Sequence, residues 1–254
     1  MLNAFIAFIA FSFVASAVYV FNDWVDRYED AQHPEKRHRP IASGRIKAPA
    51  AFSFLALLSL GGGAAAYSLS LEVFNLVLIY LALNLAYTLK LKHIAIIDVV
   101  IIATGFVIRL FVGAAATQVE LSHWIIVMTF LLALFLSLAK RRDDVLIYLN
   151  TEQKMRKVIE GYNLKFVDSA MMMTASITIV AYILWSISPE VAQRLNTEYL
   201  YLSAGFVVLG ILRYMQIALV EEKSGNPSKV LLRDRFIQLT LVGWVGVFVW
   251  VLYL

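Results

Sequence analysis

The chain has 254 residues, 61% of them apolar and 16% charged, with a formal net charge of +4 and no cysteine. Apolar usage well above the roughly 45–50% of soluble domains, with a mean hydropathy of +0.75, excludes an ordinary water-soluble fold. The lack of cysteine excludes a disulfide framework, thiolate catalysis and a cysteine-ligated metal.

Apolar runs of about 20 residues, each long enough to cross a hydrocarbon core, recur at 2–21, 48–68, 73–89, 95–116, 122–139, 167–187, 198–219 and 236–254. They predict an all-α polytopic membrane bundle of eight spans, a single transmembrane domain over 1–254. The second and third spans meet in a tight turn at Ser70-Leu71-Glu72. Of the 22 Lys and Arg, 19 fall in 22–47, 90–92, 140–166 and 220–235, which alternate crossings place on one side. Positive-inside bias makes that side cytoplasmic. The pI near 9.2 then reflects a basic face on anionic lipid, and no nucleic-acid partner is expected. Only Met1-Leu2-Asn3 precede the first run, with no cation among them, so one further helix upstream is expected.

Asp23 follows the first span and Asp143-Asp144 follow the fifth, some 120 residues later, and each leads into a long polar loop, 22–47 or 140–166. This predicts two four-helix halves around a central cavity. Internal repeats also occur in carriers, so the symmetry alone does not separate enzyme from transporter. Within the second loop, Met155 and Ile159 are four apart, which suits a short amphipathic surface helix as well as an ordinary connector.

The chemistry concentrates at Asn22-Asp23-Trp24-Val25-Asp26-Arg27-Tyr28-Glu29-Asp30. On a continuing helix Asp26 and Asp30 share a face, with Asp23 three residues before Asp26. Oxygen ligands at a helix mouth suit Mg²⁺, which takes one or two carboxylates plus substrate phosphates. Carboxylates at a helix C-terminus also oppose the macrodipole, and a bound cation relieves that. Metal ligation is therefore expected of Asn22, Asp23, Asp26 and Asp30. Nearby Lys36, Arg37 and Arg39 can hold phosphates, with help from His33 and His38. Tyr87, Lys90, Lys92 and Asp98 follow around the third and fourth spans. Arg109, eleven residues and roughly 16 Å beyond Asp98, lies near mid-membrane, where it is costly unless paired or facing water. Lys140-Arg141-Arg142-Asp143-Asp144 offers a second cationic group, either a plain topogenic signal or a phosphate site including Asp144. The four histidines lack metal-ligand spacing, and no Ser-His-Asp set, P-loop or G-x-G-x-x-G is present.

With these residues assembled, the chain resembles the UbiA superfamily of intramembrane prenyltransferases, whose N-D-x-x-D-x-x-x-D motif Asn22–Asp30 matches in full. It is most similar to the decaprenyl-phosphate phosphoribosyltransferase branch. The likeness rests on His33-Pro34-x-Lys36-Arg37-x-Arg39-Pro40-Ile41-Ala42-Ser43-Gly44, Leu91-Lys92-His93 with Asp98, Gly105-Phe106-x-x-Arg109 with Gly113, and Lys140-Arg141. It implies nine helices, of which the first is missing here. The superfamily's usual second motif, an Asp pair four apart, is absent, and Asp143-Asp144 stand where relatives often carry Glu.

The resemblance further implies an Mg²⁺-dependent transfer of 5-phosphoribose from phosphoribosyl diphosphate to a polyprenyl phosphate. The enzyme would sit in a bacterial inner membrane, its site facing the cytoplasm and the lipid tail in a groove between helices. The cation count agrees, since a diphosphate, a 5-phosphate and a lipid phosphate need more cations than one diphosphate does. Prenyl transfer to an aromatic acceptor and phosphate or lipid-linked transport stay open. Small-residue helix faces are compatible with a homo-oligomer.

Overall fold

The computed structural model describes residues 1–32, 36–151 and 157–253. His33, Pro34 and Glu35, and residues 152–156 of the expected surface helix, lie outside the described residues. Among those described, the chain is helical and contains no strand. It folds as two compact units, Met1–Ser122 and His123–Leu254, which correspond to the expected halves.

The first unit contains α1 (Leu2–Val25), the short α2 (Arg27–Gln32), α3 (Ala48–Leu69), α4 (Leu71–Leu89) and α5 (Ile97–Thr117). Its four long helices pack on one another, with α1 touching α3, α4 and α5. Small residues set that contact: Ala7, Ala10, Val14, Ala17 and Val18 on α1 recur at helical spacing and are buried. A Cβ on Gly62 of α3 would stand 2.8 Å from the Ala10 carbonyl oxygen and 2.7 Å from Val14, so the two backbones meet where glycine permits it. Ser70 ends α3 and begins α4, its Oγ accepting the Val73 N–H at 3.1 Å. That hydroxyl satisfies one orphan donor of the new helix and accounts for the tight reversal expected there.

The second unit contains α6 (His123–Thr151), α7 (Leu164–Ser186), α8 (Pro189–Leu195), α9 (Ala204–Leu219), α10 (Pro227–Arg233) and α11 (Arg235–Tyr253). Asn163, Ser188 and Asn226 cap α7, α8 and α10 with their side chains. Asp234 sits at an 81° bend between α10 and α11 and caps α11 through the Ile237 N–H at 2.9 Å. Seven helices are long and apolar enough to cross a membrane among the described residues, and an eighth if the bent α10–α11 pair counts as one span. The chain is a multi-pass membrane protein.

Two sequence expectations change. The polar segment starting at residue 140 is helical up to Thr151, because hydropathy marks where the membrane ends rather than where the helix ends. Nothing between Lys140 and Thr151 breaks a helix: it holds neither Gly nor Pro. The Asn22–Asp30 run, expected as one continuing helix, instead breaks at Asp26 (φ −86°, ψ 1°).

Candidate active site

In the first unit the acidic run sits where α1 gives way to α2. Despite the break, the Asp26 N–H bonds to the Asn22 carbonyl at 2.9 Å and the Asp30 N–H to the Asp26 carbonyl at 2.8 Å. The turn therefore keeps near-helical spacing and stacks Asp23, Asp26 and Asp30 on one side. Asp30 is buried, while Asp23 and Asp26 are half-buried.

The cations that relieve this negative helix end come from the chain itself. Arg39 Nη1 donates to Asp23 Oδ1 at 2.7 Å and to Asp30 Oδ2 at 2.8 Å. Lys92, itself buried, donates through Nζ to Asp26 Oδ1. Lys36 Nζ approaches Asp30 Oδ1 at 4.0 Å. Arg27 folds back so that Nη1 donates to the Trp24 carbonyl at 2.6 Å, a cation on a C-terminal carbonyl, and its guanidinium lies 4.2 Å from the Trp24 and Tyr28 rings. Arg37 is exposed and donates through Nε to Nε2 of its neighbour His38 at 3.3 Å.

Lys92 reaches Asp26 because α4 ends beside it. Asn22 Oδ1 lies 3.4 Å from the Thr88 hydroxyl, a weak contact along the same seam. Beyond α4 the chain makes a 3-10 turn (Leu91–His93), then reverses at Ile96 with φ 71° and ψ −49°. That is γ-turn geometry, rare and strained for a β-branched residue. It starts α5, where Asp98 is fully buried. Tyr87 is half-buried and Lys90 exposed near the same end.

Arg109 stands apart, three turns further along α5. Its guanidinium lies 5.0 Å from the Phe11 ring and 5.3 Å from the Phe106 ring, and it bonds the Tyr80 side chain. No carboxylate pairs with Arg109 among the described residues. Aromatic faces give a cation partial compensation.

The second cationic group divides in the second unit. Arg142 is buried and committed to structure: Nε donates to Asp168 Oδ1 at 2.8 Å and Nη1 to the Ala218 carbonyl at 2.7 Å. It thus ties α6 to α7 and to the C-terminal end of α9, which occupies the donors expected to read a phosphate. Asp143 accepts from the buried Ser224 hydroxyl at 2.8 Å. Arg141, also buried, donates to Asp144 at 2.5 Å, while Lys140 is exposed. Ser224, Asp168 and Thr88 were not singled out from sequence, since each acquires its role from a partner remote in the chain. The same holds for Asp234, which Arg213 meets at 2.7 Å.

The donor set fits a divalent cation. Asp23 and Asp30 are hard oxygen donors that converge on one point, now held by Arg39 Nη1, and Mg²⁺ characteristically takes one or two carboxylates and completes its shell with phosphate and water. No cluster of three or more His, Asp or Glu forms a metal cage among the described residues.

Residues 1–240 match the UbiA prenyltransferase family. The chain belongs to that family. It is 31% identical over 247 residues to decaprenyl-phosphate phosphoribosyltransferase of Mycolicibacterium smegmatis, covering 95% of this chain and 77% of that one. A protein of the same name from Corynebacterium glutamicum is 30% identical over 256 residues, covering all of this chain and 77% of its own. Among solved structures, a UbiA homolog from Archaeoglobus fulgidus bound to GPP and Mg²⁺ superposes with a TM-score of 0.71 at 16% identity, covering 99% of this chain and 88% of that one. That likeness concerns the fold.

Proposed function

We propose that this UbiA-family protein transfers 5-phosphoribose from phosphoribosyl diphosphate to a membrane polyprenyl phosphate and releases pyrophosphate. The observation that carries the reading is the acid–cation array of the first unit. Three aspartates and three cations (Arg39, Lys92, Lys36) interleave there, a density suited to a substrate with several phosphates. The relatives named for this activity align over nearly the whole chain, which supports the same reading.

In the reaction, an acceptor phosphate oxygen forms a bond to the ribose C1 as the bond from C1 to the diphosphate oxygen breaks. The acceptor is already an anion near neutral pH, so no general base is required. That agrees with a site built from Asp, Lys and Arg. Asp23 and Asp30, with Asn22 and Asp26 alongside, would hold Mg²⁺, which would supply charge neutralisation for the departing diphosphate. Arg39 and Lys36 orient the diphosphate from the side facing Asp30. Lys92 fixes Asp26, and with it the turn that aligns the acids. Lys140 and Arg141 are assigned to a second phosphate and Arg142 to holding their helix. Catalysis then rests on positioning and fixed charge. The basic helix ends face the cytoplasm of a bacterial cell, as the distribution of Lys and Arg supports.

The test is purified protein with Mg²⁺, labelled phosphoribosyl diphosphate and decaprenyl phosphate. Labelled lipid and stoichiometric pyrophosphate are expected, both lost on chelation and restored by Mg²⁺. The second reading, prenyl transfer to an aromatic acceptor, is favoured by the GPP bound to the Archaeoglobus homolog. Product from geranyl diphosphate and 4-hydroxybenzoate, with none from phosphoribosyl diphosphate, would establish it instead.

A further inference from the structure

The 19 residues of α11 extend about 28 Å, enough to cross a hydrocarbon core of roughly 30 Å. Across the break at Asp234, α10 turns 81° away from α11. With α11 through the bilayer, α10 therefore runs nearly parallel to the membrane surface. Val230 is the buried residue of α10. Leu232 is 75% exposed, and Phe236 in the first turn of α11 is 47% exposed. Leu239, one turn further on, is exposed as well, which marks that side of α11 as the one facing lipid.

Charge in the segment 221–235 is sorted by direction. Glu221 Oε1 accepts from Arg213 Nη1 at 2.8 Å, and Asp234 Oδ2 accepts from Arg213 Nη2 at 2.7 Å. Glu222 Oε1 lies 4.0 Å from Nη2 of the buried Arg142. All three acids of the segment thus face cations of α6 and α9. Its four cations, Lys223, Lys229, Arg233 and Arg235, are exposed, and none has an ion-pair partner among the described residues. Lys229 and Arg233 are four apart and share a face of α10. Arg235 stands at the N-terminus of α11, where the helix dipole disfavours a cation. The acid that caps this end, Asp234, is already bonded to Arg213.

An anion from outside the chain relieves this excess, and the neighbouring side chains say what carries it. Four clustered cations beside a spanning helix are enough to attract anionic headgroups. Bare Leu232 and Phe236 next to them match acyl chains just beneath such headgroups. A soluble acidic partner would use the cations and leave those two side chains in water.

We infer that α10 and the first turn of α11 form an interfacial anchor for anionic phospholipid. Lys223, Lys229, Arg233 and Arg235 meet the headgroups, and Leu232 and Phe236 enter the acyl region. The anchor does not depend on the reaction assigned to the first unit.

The chain has no cysteine, so Leu232→Cys creates a single attachment point for bimane at an exposed position. The labelled full chain is placed in phosphatidylcholine vesicles with equal doses of phosphatidylglycerol or phosphatidylcholine bearing the same acyl-chain nitroxide. Quenching by the phosphatidylglycerol quencher is expected to be about fivefold more efficient, the enrichment that one cation near the surface supplies. The ratio falls toward one in molar salt, where charge is screened within about 3 Å. It falls likewise when Lys229→Gln, Arg233→Gln and Arg235→Gln are combined with the labelled variant. Equal quenching by the two lipids at low salt overturns the inference, as does a preference that survives removal of the three charges. Stronger quenching by aqueous acrylamide than by either lipid also overturns it, placing α10 in water, free for a soluble partner. The low-salt ratio with all four cations present decides the matter if the charge-depleted variant fails to fold.

Discussion

Lys92 is bonded to Asp26 across 66 residues of sequence, and only 8% of the lysine side chain is exposed. The pair joins the end of α4 to the turn between α1 and α2. Truncating one member of a fully buried pair costs about 3–5 kcal/mol, and the 21% exposure of Asp26 lowers that to about 2 kcal/mol. Lys92→Ala is expected to lower thermal stability in detergent by that amount and to reduce turnover at least 100-fold. Lys92→Met with Asp26→Leu should recover stability but no activity. Equal activity in the double variant would show the pair to be purely architectural.

Arg39 occupies the point on which Asp23 and Asp30 converge. Arg39→Gln removes the cation that competes for those carboxylates and, in the proposed reaction, a donor to the diphosphate. A Mg²⁺ titration should show half-maximal activity at lower metal concentration, with kcat reduced by about 2–4 kcal/mol of lost charge stabilisation. An unchanged Mg²⁺ requirement would separate Arg39 from the metal position.

Ile96 holds a strained backbone between Lys92 and Asp98. Ile96→Gly removes a steric cost on the order of 1–2 kcal/mol while adding freedom to the unfolded chain. The net change in melting temperature should be small. Activity is expected to fall about tenfold, because the turn that presents Lys92 loosens. A large loss of stability would mean that the Ile96 side chain matters more than its backbone.

Three consecutive glycines on α3 behave differently. Cβ atoms at Gly61 and Gly63 meet side-chain carbons no closer than 3.5 Å, whereas one at Gly62 meets the Ala10 carbonyl oxygen at 2.8 Å. Gly62→Ala is expected to destabilise the first unit by about 1–3 kcal/mol through overpacking. Gly61→Ala and Gly63→Ala should be neutral or stabilising by up to about 1 kcal/mol, since alanine favours a helix. Thermal melts of the three variants read the contrast directly.

The spans were legible because twenty apolar residues need little context to be read as a crossing helix, and the Ser70 turn because a hydroxyl cap is a local device. What was not legible depends on partners far along the chain. Arg142 looks like any basic stop signal until Asp168 and the Ala218 carbonyl close on it, 26 and 76 residues away. The acid run was readable as an anion-rich helix mouth. Its neutralisation by Arg39 and Lys92 was not, because ligand spacing on one helix says nothing about cations arriving from the next. The break at Asp26 was hidden for a related reason: its flanking hydrogen bonds keep helical periodicity across the interruption.

The 29 residues of α6 amount to roughly 43 Å of rod, against about 30 Å of hydrocarbon. Nearly a third of it therefore projects like a mast, and Lys140 through Asp144 ride in its lower rigging, at the waterline. A phosphate held there is met at a fixed height above the bilayer, set by a stiff helix rather than a pliant loop. A thicker bilayer would submerge that platform.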